Sequence, residues 1–295
     1  MMPGMITSAY TPYDGSSKPF TIGLSRLDPL RWIEPDRDLA SELAEKRRLA
    51  GERLDDILRS SEESLPAQRE CLRLLCDYLT EHHPQIYRRD ADRITIAGSD
   101  TIDLADASRP PIFTAGSLIQ DDLVILERKD AGWTITAAHL AFPSSWSLAE
   151  KFMKPMDEVH GHVPGFSGGT RNATLIHRIF DNLQPDLPVE RFNWSINRGY
   201  ALYHPPGLKW AKGEGDPELA YIRVERQTLR RLPETGAIVF TIRIYLDPLQ
   251  AFRQTPDGQN LARALAAQLE ALTPDQTAYK GLAAWRDRLC TYLRQ

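Results

Sequence analysis

The stretch "LAYIRVERQTLRRLPETGAIVFTIRIYLDP" (219–248) decides the fold. Two runs rich in β-branched and aromatic residues, 219–232 and 237–248, flank a turn around Pro233–Gly236. Such runs, punctuated by Pro and Gly, predict two paired strands. Alternation in the first run puts Tyr221, Arg223, Glu225 and Gln227 on one face. Ile222, Val224, Arg226 and Thr228 take the other, which is apolar apart from its last two members. An isolated buried charge is very costly. Arg226 therefore either joins a structural salt bridge or meets a ligand, and Arg223, Glu225 and Gln227 form a network on the opposite face.

Working outward, "VERFNWSIN" (189–197) predicts a third strand of this group. Phe192, Trp194 and Ile196 face a core, while Arg191 and Asn193 either line a polar pocket or pair with the neighbouring strand. Upstream, "DDLVILERKD" (121–130) and "GWTITAAHLAFP" (132–143) read as strands joined by a turn at Lys129–Gly132, and "RITIAG" (93–98) as a further short one. Helical spacing marks 28–60, with Asp36 or Asp38 as cap, then 65–82, 145–159 with Ser144 or Ser145 as cap, 170–183, and most of 249–295. The expected fold class is α+β. A helical N-terminal cap precedes a PAS-like five-stranded antiparallel sheet with short helices cupped over one face, and C-terminal helices follow. The divisions are an arm and cap over 1–90, a core over 91–250 and a helical tail over 251–295, integrated as one domain.

Composition narrows the function classes. A net charge of −4 argues against a nucleic-acid binder. Cys71, Cys76 and Cys290 are too sparse for a disulfide framework and read as small core residues, which fits a cytoplasmic location. The N-terminal residues resemble neither a signal peptide nor an anchor, and no apolar run reaches the roughly 20 residues that span a bilayer. There is no GxGxxG after a strand, no P-loop and no GxSxG.

The stretch "VHGHVPGF" (159–166) places two histidines, His160 and His162, before a stiff Pro-Gly turn. Haem needs only one imidazole from the protein, whereas zinc needs three or four ligands and HxH supplies two. Otherwise both are ordinary loop residues. His177 reads as a helix-surface or core-edge residue, His139 as a weaker ligand candidate, and His82 and His83 as a helix end. In "FSGGTRN" (166–172) a Gly-Gly pair runs into a helix, so the segment is either a plain loop or an anion cradle.

Four stretches together carry a family resemblance: "KPFTIGLSRLDPLRWIEPDRDLASELAEKRRL" (18–49), "LAFPSSWSLAEKFMKPMDEVHGHVPGF" (140–166), "RFNW" (191–194) and "RVERQTLRRLPETGAIVFTIRIYLDPL" (223–249). They resemble the haem-dependent oxidative N-demethylase α-subunit family, from about residue 18 to 250. The resemblance implies a PAS-fold protein with b-type haem that oxidatively demethylates a small secondary amine such as dimethylamine with O2, releasing a primary amine and formaldehyde. It also implies partner subunits that deliver electrons from NADPH through FMN and a 2Fe–2S cluster, and a further subunit that uses tetrahydrofolate. Such a cluster needs about four cysteines, and this chain has three. The family places a His two residues before Pro-Val-Pro-Gly. His160 matches it as the metal ligand, while His162 replaces the first proline, and Ala141 stands where a Cys is expected. Arg191 and Asn193 are then expected to border the cofactor. Arg226, from the RVERQT string, is the candidate for polarising O2. Glu225 is the candidate for meeting an ammonium, although alternation puts it on the other face and only a strand irregularity brings both to one pocket.

Overall fold

The computed structural model describes residues 10–144, 146–205 and 215–295. The expected arm is described from Tyr10 onward, and Ser145 lies outside the described residues. Ten strands are present among them: β1 (Ser25–Arg26), β2 (Leu58–Ser60), β3 (Tyr87–Asp90), β4 (Arg93–Ile96), β5 (Asp100–Asp103), β6 (Asp122–Lys129), β7 (Gly132–His139), β8 (Val189–Asn197), β9 (Tyr221–Arg231) and β10 (Ile238–Pro248). The α-helices of the first half are α1 (Leu39–Glu52), α2 (Leu54–Ile57), α3 (Leu65–His82) and α4 (Pro111–Leu118). Those of the second half are α5 (Leu148–Lys151), α6 (Met156–Val159), α7 (Arg171–Asn182), α8 (Gly258–Glu270), α9 (Pro274–Tyr279) and α10 (Arg286–Leu293).

The main sheet has seven strands in the order β1-β8-β9-β10-β6-β7-β2, so the five-stranded expectation is corrected. Its five long strands are the expected ones, and every pairing in it is antiparallel. The extra strands cap both edges, β1 on Val189–Glu190 and β2 on Ala137–His139. An open edge leaves backbone N–H and C=O groups unpaired, and two or three residues suffice to cover part of it. The β2 segment falls inside the run expected to be helical. That run breaks at Arg53 and becomes extended at Leu58. The 93–98 run is instead the centre of a separate sheet, β3-β4-β5. The helix α4 lies in a stretch where no element was expected. Pro111 sits in the first turn, where a missing N–H costs nothing. The expected cap at Ser144 is replaced by Ser147 ahead of α5. Among the described residues no helix is long and apolar enough to cross a membrane.

Register assigns the two faces. Arg191 is opposite Gln227, Asn193 opposite Glu225 and Ser195 opposite Arg223. Ile242 and Ile244 of β10 stand opposite Gln227 and Glu225 on that same face. Its apolar members pack with Leu148, Met156, Phe166, Ile176 and Phe180, so α5–α7 cover this side. The reverse face, with Trp194, Ile196, Ile222 and Val224, packs under α8 and α10. Farther along, Leu123, Ile125 and Val239 pack under α1, α3 and α4. The three cysteines are free and buried.

One glycine is forced by close approach. A Cβ at Gly116 in α4 would collide with Nδ1 of the buried His139 ring. Gly116→Ala is expected to destabilise the fold by about 1–3 kcal/mol. Urea unfolding with a wild-type midpoint would show that the helix moves away without cost.

Candidate functional site

The segment "VHGHVPGF" folds as linked turns. Pro155 is the N-cap of the four-residue α6, and His160 is its C-cap. The His160 N–H donates to the Met156 carbonyl at 2.9 Å, and the His160 carbonyl accepts from Val163 N–H at 2.8 Å. Phe166 N–H then donates to Val163 at 3.0 Å, and its buried ring lies 6.3 Å from the His160 ring. These turns treat the two histidines differently. His162 is exposed, whereas His160 is half-covered in the helical layer over the polar sheet face. Burial, then the cations Arg191 and Lys151, push the His160 imidazole down to about 4. It is therefore neutral near pH 7, which is the form that ligates a metal.

The sheet supplies the other wall. Glu225 accepts from Arg223 Nε at 3.3 Å, Asn193 Nδ2 at 3.3 Å and Gln227 Nε2 at 3.0 Å. Arg223 is buried and also donates to the Phe142 carbonyl at 2.8 Å. Arg191 donates to the Thr21 carbonyl at 3.1 Å, and its buried Nε has no acceptor. Burial lowers the Arg191 pKa, and the Glu225 carboxylate opposes that shift. The structure thus brings His160, Arg191, Asn193 and Glu225 to one side of the sheet.

Arg226 is not brought with them. It lies on the reverse face, where Nε donates to Glu190 at 2.8 Å and other N–H groups reach the carbonyls of Arg31 and Trp32. Glu34 is 3.6 Å away, and the guanidinium sits over the Tyr10 ring. The strand irregularity needed to bring Arg226 and Glu225 to one pocket is not present. Regular alternation separates the two side chains, and the buried charge is met by two carboxylates. The salt-bridge alternative for Arg226 is the observed one.

Three contributors were not among the expected site residues. Lys151 of α5 donates to the Val159 carbonyl at 2.6 Å, beside His160. Arg223 was expected in a network with Glu225 and Gln227, and it and Gln227 both donate to that carboxylate. Lys280, just past α9, donates to the Trp194 carbonyl and lies 5.1 and 4.7 Å from the Phe20 and Trp194 ring centres. Burial pushes the Lys280 ammonium down to about 8. Only tertiary folding brings a lysine from the tail to this strand.

Other candidates resolve into structural roles. His177 bonds Asp157 Oδ1 at 2.7 Å. In the Gly-Gly loop Thr170 caps α7 by accepting from Ala173 N–H at 3.2 Å, and Asp157 faces Gly168, which repels an anion there. A cleft of about 670 Å3 opens elsewhere, lined by Tyr10, Glu34, Asp36, Glu42, Arg243 and Tyr245. Its Arg243 is matched by Asp36 at 2.6 Å and Glu42 at 2.8 Å, and it contains none of the residues around His160.

The residues present fit a haem. A half-covered imidazole is available, and half-buried apolar groups of the same layer, Val159 and Val163, flank it in the chain. The orphaned Arg191 N–H is the donor a propionate needs. Among the described residues no three of His, Cys, Asp and Glu converge as a metal-ion ligand set, so a one-imidazole site fits better than a zinc cage. The family model for haem-dependent oxidative N-demethylase, alpha subunit-like, matches residues 23–290, and the chain belongs to that family.

Proposed function

We propose that this chain is the haem-bearing subunit of an oxidative N-demethylase acting on a small secondary amine such as dimethylamine. The observation that carries this reading is the half-covered His160 ring, held in the helical layer over the sheet face that bears Arg191, Asn193 and Glu225. Five long antiparallel strands with short helices over one face support a PAS-type cup for the cofactor. His160 would hold the iron through one imidazole nitrogen, and Arg191 and Asn193 would border the macrocycle. Bound haem supplies the activation of O2. The balance is one amine, one O2, two electrons and two protons, giving one primary amine, one formaldehyde and one water.

The chain's own residues orient the substrate. Glu225, fixed by Asn193, Gln227 and Arg223, meets the ammonium of the incoming amine. Arg223, rather than Arg226, is the guanidinium sharing that side, and it holds the Glu225 carboxylate in place. The electrons come from partner subunits carrying NADPH, FMN and 2Fe–2S sites, in keeping with an alpha subunit of a larger complex.

The haem-loaded protein, supplied with an electron donor, is expected to release formaldehyde only when a small secondary amine is added. Glu225→Gln should retain the haem spectrum and lower amine-dependent kcat/KM by about tenfold to a hundredfold, the worth of a charged hydrogen bond. Formaldehyde assay with dimethylamine and bulkier amines reads this. A haem spectrum that answers to O2 but gives no formaldehyde with any amine makes the chain a haem-binding sensor instead.

A further inference from the structure

The charges beside Glu225 do not balance. Arg223 bonds Glu225 directly, while Arg191 donates to the Thr21 carbonyl and Lys280 sits over the ring of the preceding Phe20, so these two cations border one stretch of chain; among the described residues Glu225 is the carboxylate that acts on both. Arg223, Asn193 and Gln227 take three of its roughly four acceptor sites, and the reading above gives the remaining one to the substrate ammonium. Arg191 uses one N–H on the Thr21 carbonyl and leaves Nε without an acceptor. Lys280 gives one N–H to the Trp194 carbonyl, and its ammonium is held between the Phe20 and Trp194 rings. A desolvated positive cluster with spare donors and no second anion is a receptor for one.

We infer that Arg191 and Lys280 together take one carboxylate of the bound ligand, a propionate of the haem, an assignment that rests on the haem reading above. Haem presents two carboxylates at one edge of an otherwise apolar disc, so a paired cation beside the apolar wall suits it. Arg191 belongs to β8, and Lys280, just past α9, is tied to the same strand through the Trp194 carbonyl. Lys280 is thereby a cofactor-positioning residue contributed by the C-terminal tail.

The test titrates the purified full chain, freed of haem, with iron protoporphyrin IX and separately with its dimethyl ester, following the Soret band. Lys280→Met is expected to weaken the free-acid haem about tenfold, the loss of one charge-assisted contact. Lys280→Arg should stay within about threefold of wild type, and neither variant should alter affinity for the ester. Equal weakening of acid and ester by Lys280→Met would mean that Lys280 only supports the fold. An unchanged affinity for both overturns the inference outright. Acetate that protects wild type but not Lys280→Met from thermal unfolding, with haem affinity unchanged, would assign the receptor to a free carboxylate and overturn the propionate. Wild type that binds neither porphyrin defeats the haem reading itself, a result distinct from these.

Discussion

Arg226→Met is expected to lower the stability of the folded chain by about 3–5 kcal/mol, the cost of breaking a buried ion network from one side. The Arg226 side chain is 1% exposed, and its partners Glu190 and Glu34 are mostly covered as well. Removing the cation leaves two carboxylates facing each other across a buried space, together with unfilled carbonyls at Arg31 and Trp32. Arg226 ties β9 to β8 through Glu190 and to the segment before α1 through Glu34, so its loss should loosen the N-terminal cap from the sheet. Arg226→Lys keeps the charge but loses the fork that serves both carboxylates and carbonyls, and it should fall between the two. Urea unfolding with far-UV detection reads both. A wild-type midpoint in Arg226→Met would show that the network contributes nothing. A fully stable variant that keeps its haem but loses turnover would return Arg226 to the chemistry.

The long strands were legible because period-two alternation is a local signal. The runs 189–197, 219–232 and 237–248 lie within a residue or two of β8, β9 and β10. The helix over 65–82 is likewise α3 to the residue. What failed was local reading where tertiary context decides. In α1 the apolar Ala44 is exposed, while Glu42 and Lys46 turn inward. Lys46 is buried because it donates to the carbonyls of Gly116, Ile119 and Asp121, partners some 70 residues away. The edge strands β1 and β2 are too short to show any period and exist because a neighbouring edge needs partners.

The same limit applies at the site. Alternation placed Arg226 and Glu225 on opposite faces, and they are on opposite faces. It did not show which face the short helices cover. The apolar face of β9 looked like the inside of a cup, but α8 and α10 pack on much of it. The polar face, anchored by Glu225, is the one that meets α5–α7 and His160. His160 itself was separated from His162 by resemblance, and the turn geometry now gives a physical reason. One ring is held in the layer and kept neutral, and the other is turned to solvent.

The second large effect follows from that difference. With His160 as the sole imidazole on the iron, His160→Ala removes the bond that fixes the metal. Haem affinity should then fall on the order of a hundredfold or more, beyond the 10–100-fold typical of losing a group that merely supports a ligand. His162→Ala removes an exposed ring and should leave affinity within about threefold. His160→Gly offers a control for folding, since free imidazole can diffuse into the gap and restore the absorption if the cup is otherwise intact.

The most direct measurement is therefore the visible spectrum of wild type, His160→Ala, His160→Gly and His162→Ala, each titrated with haem at equal protein concentration. The account predicts a Soret band in wild type and His162→Ala, its loss in His160→Ala, and its return in His160→Gly when imidazole is added. A wild-type band in His160→Ala, or a loss confined to His162→Ala, would contradict it.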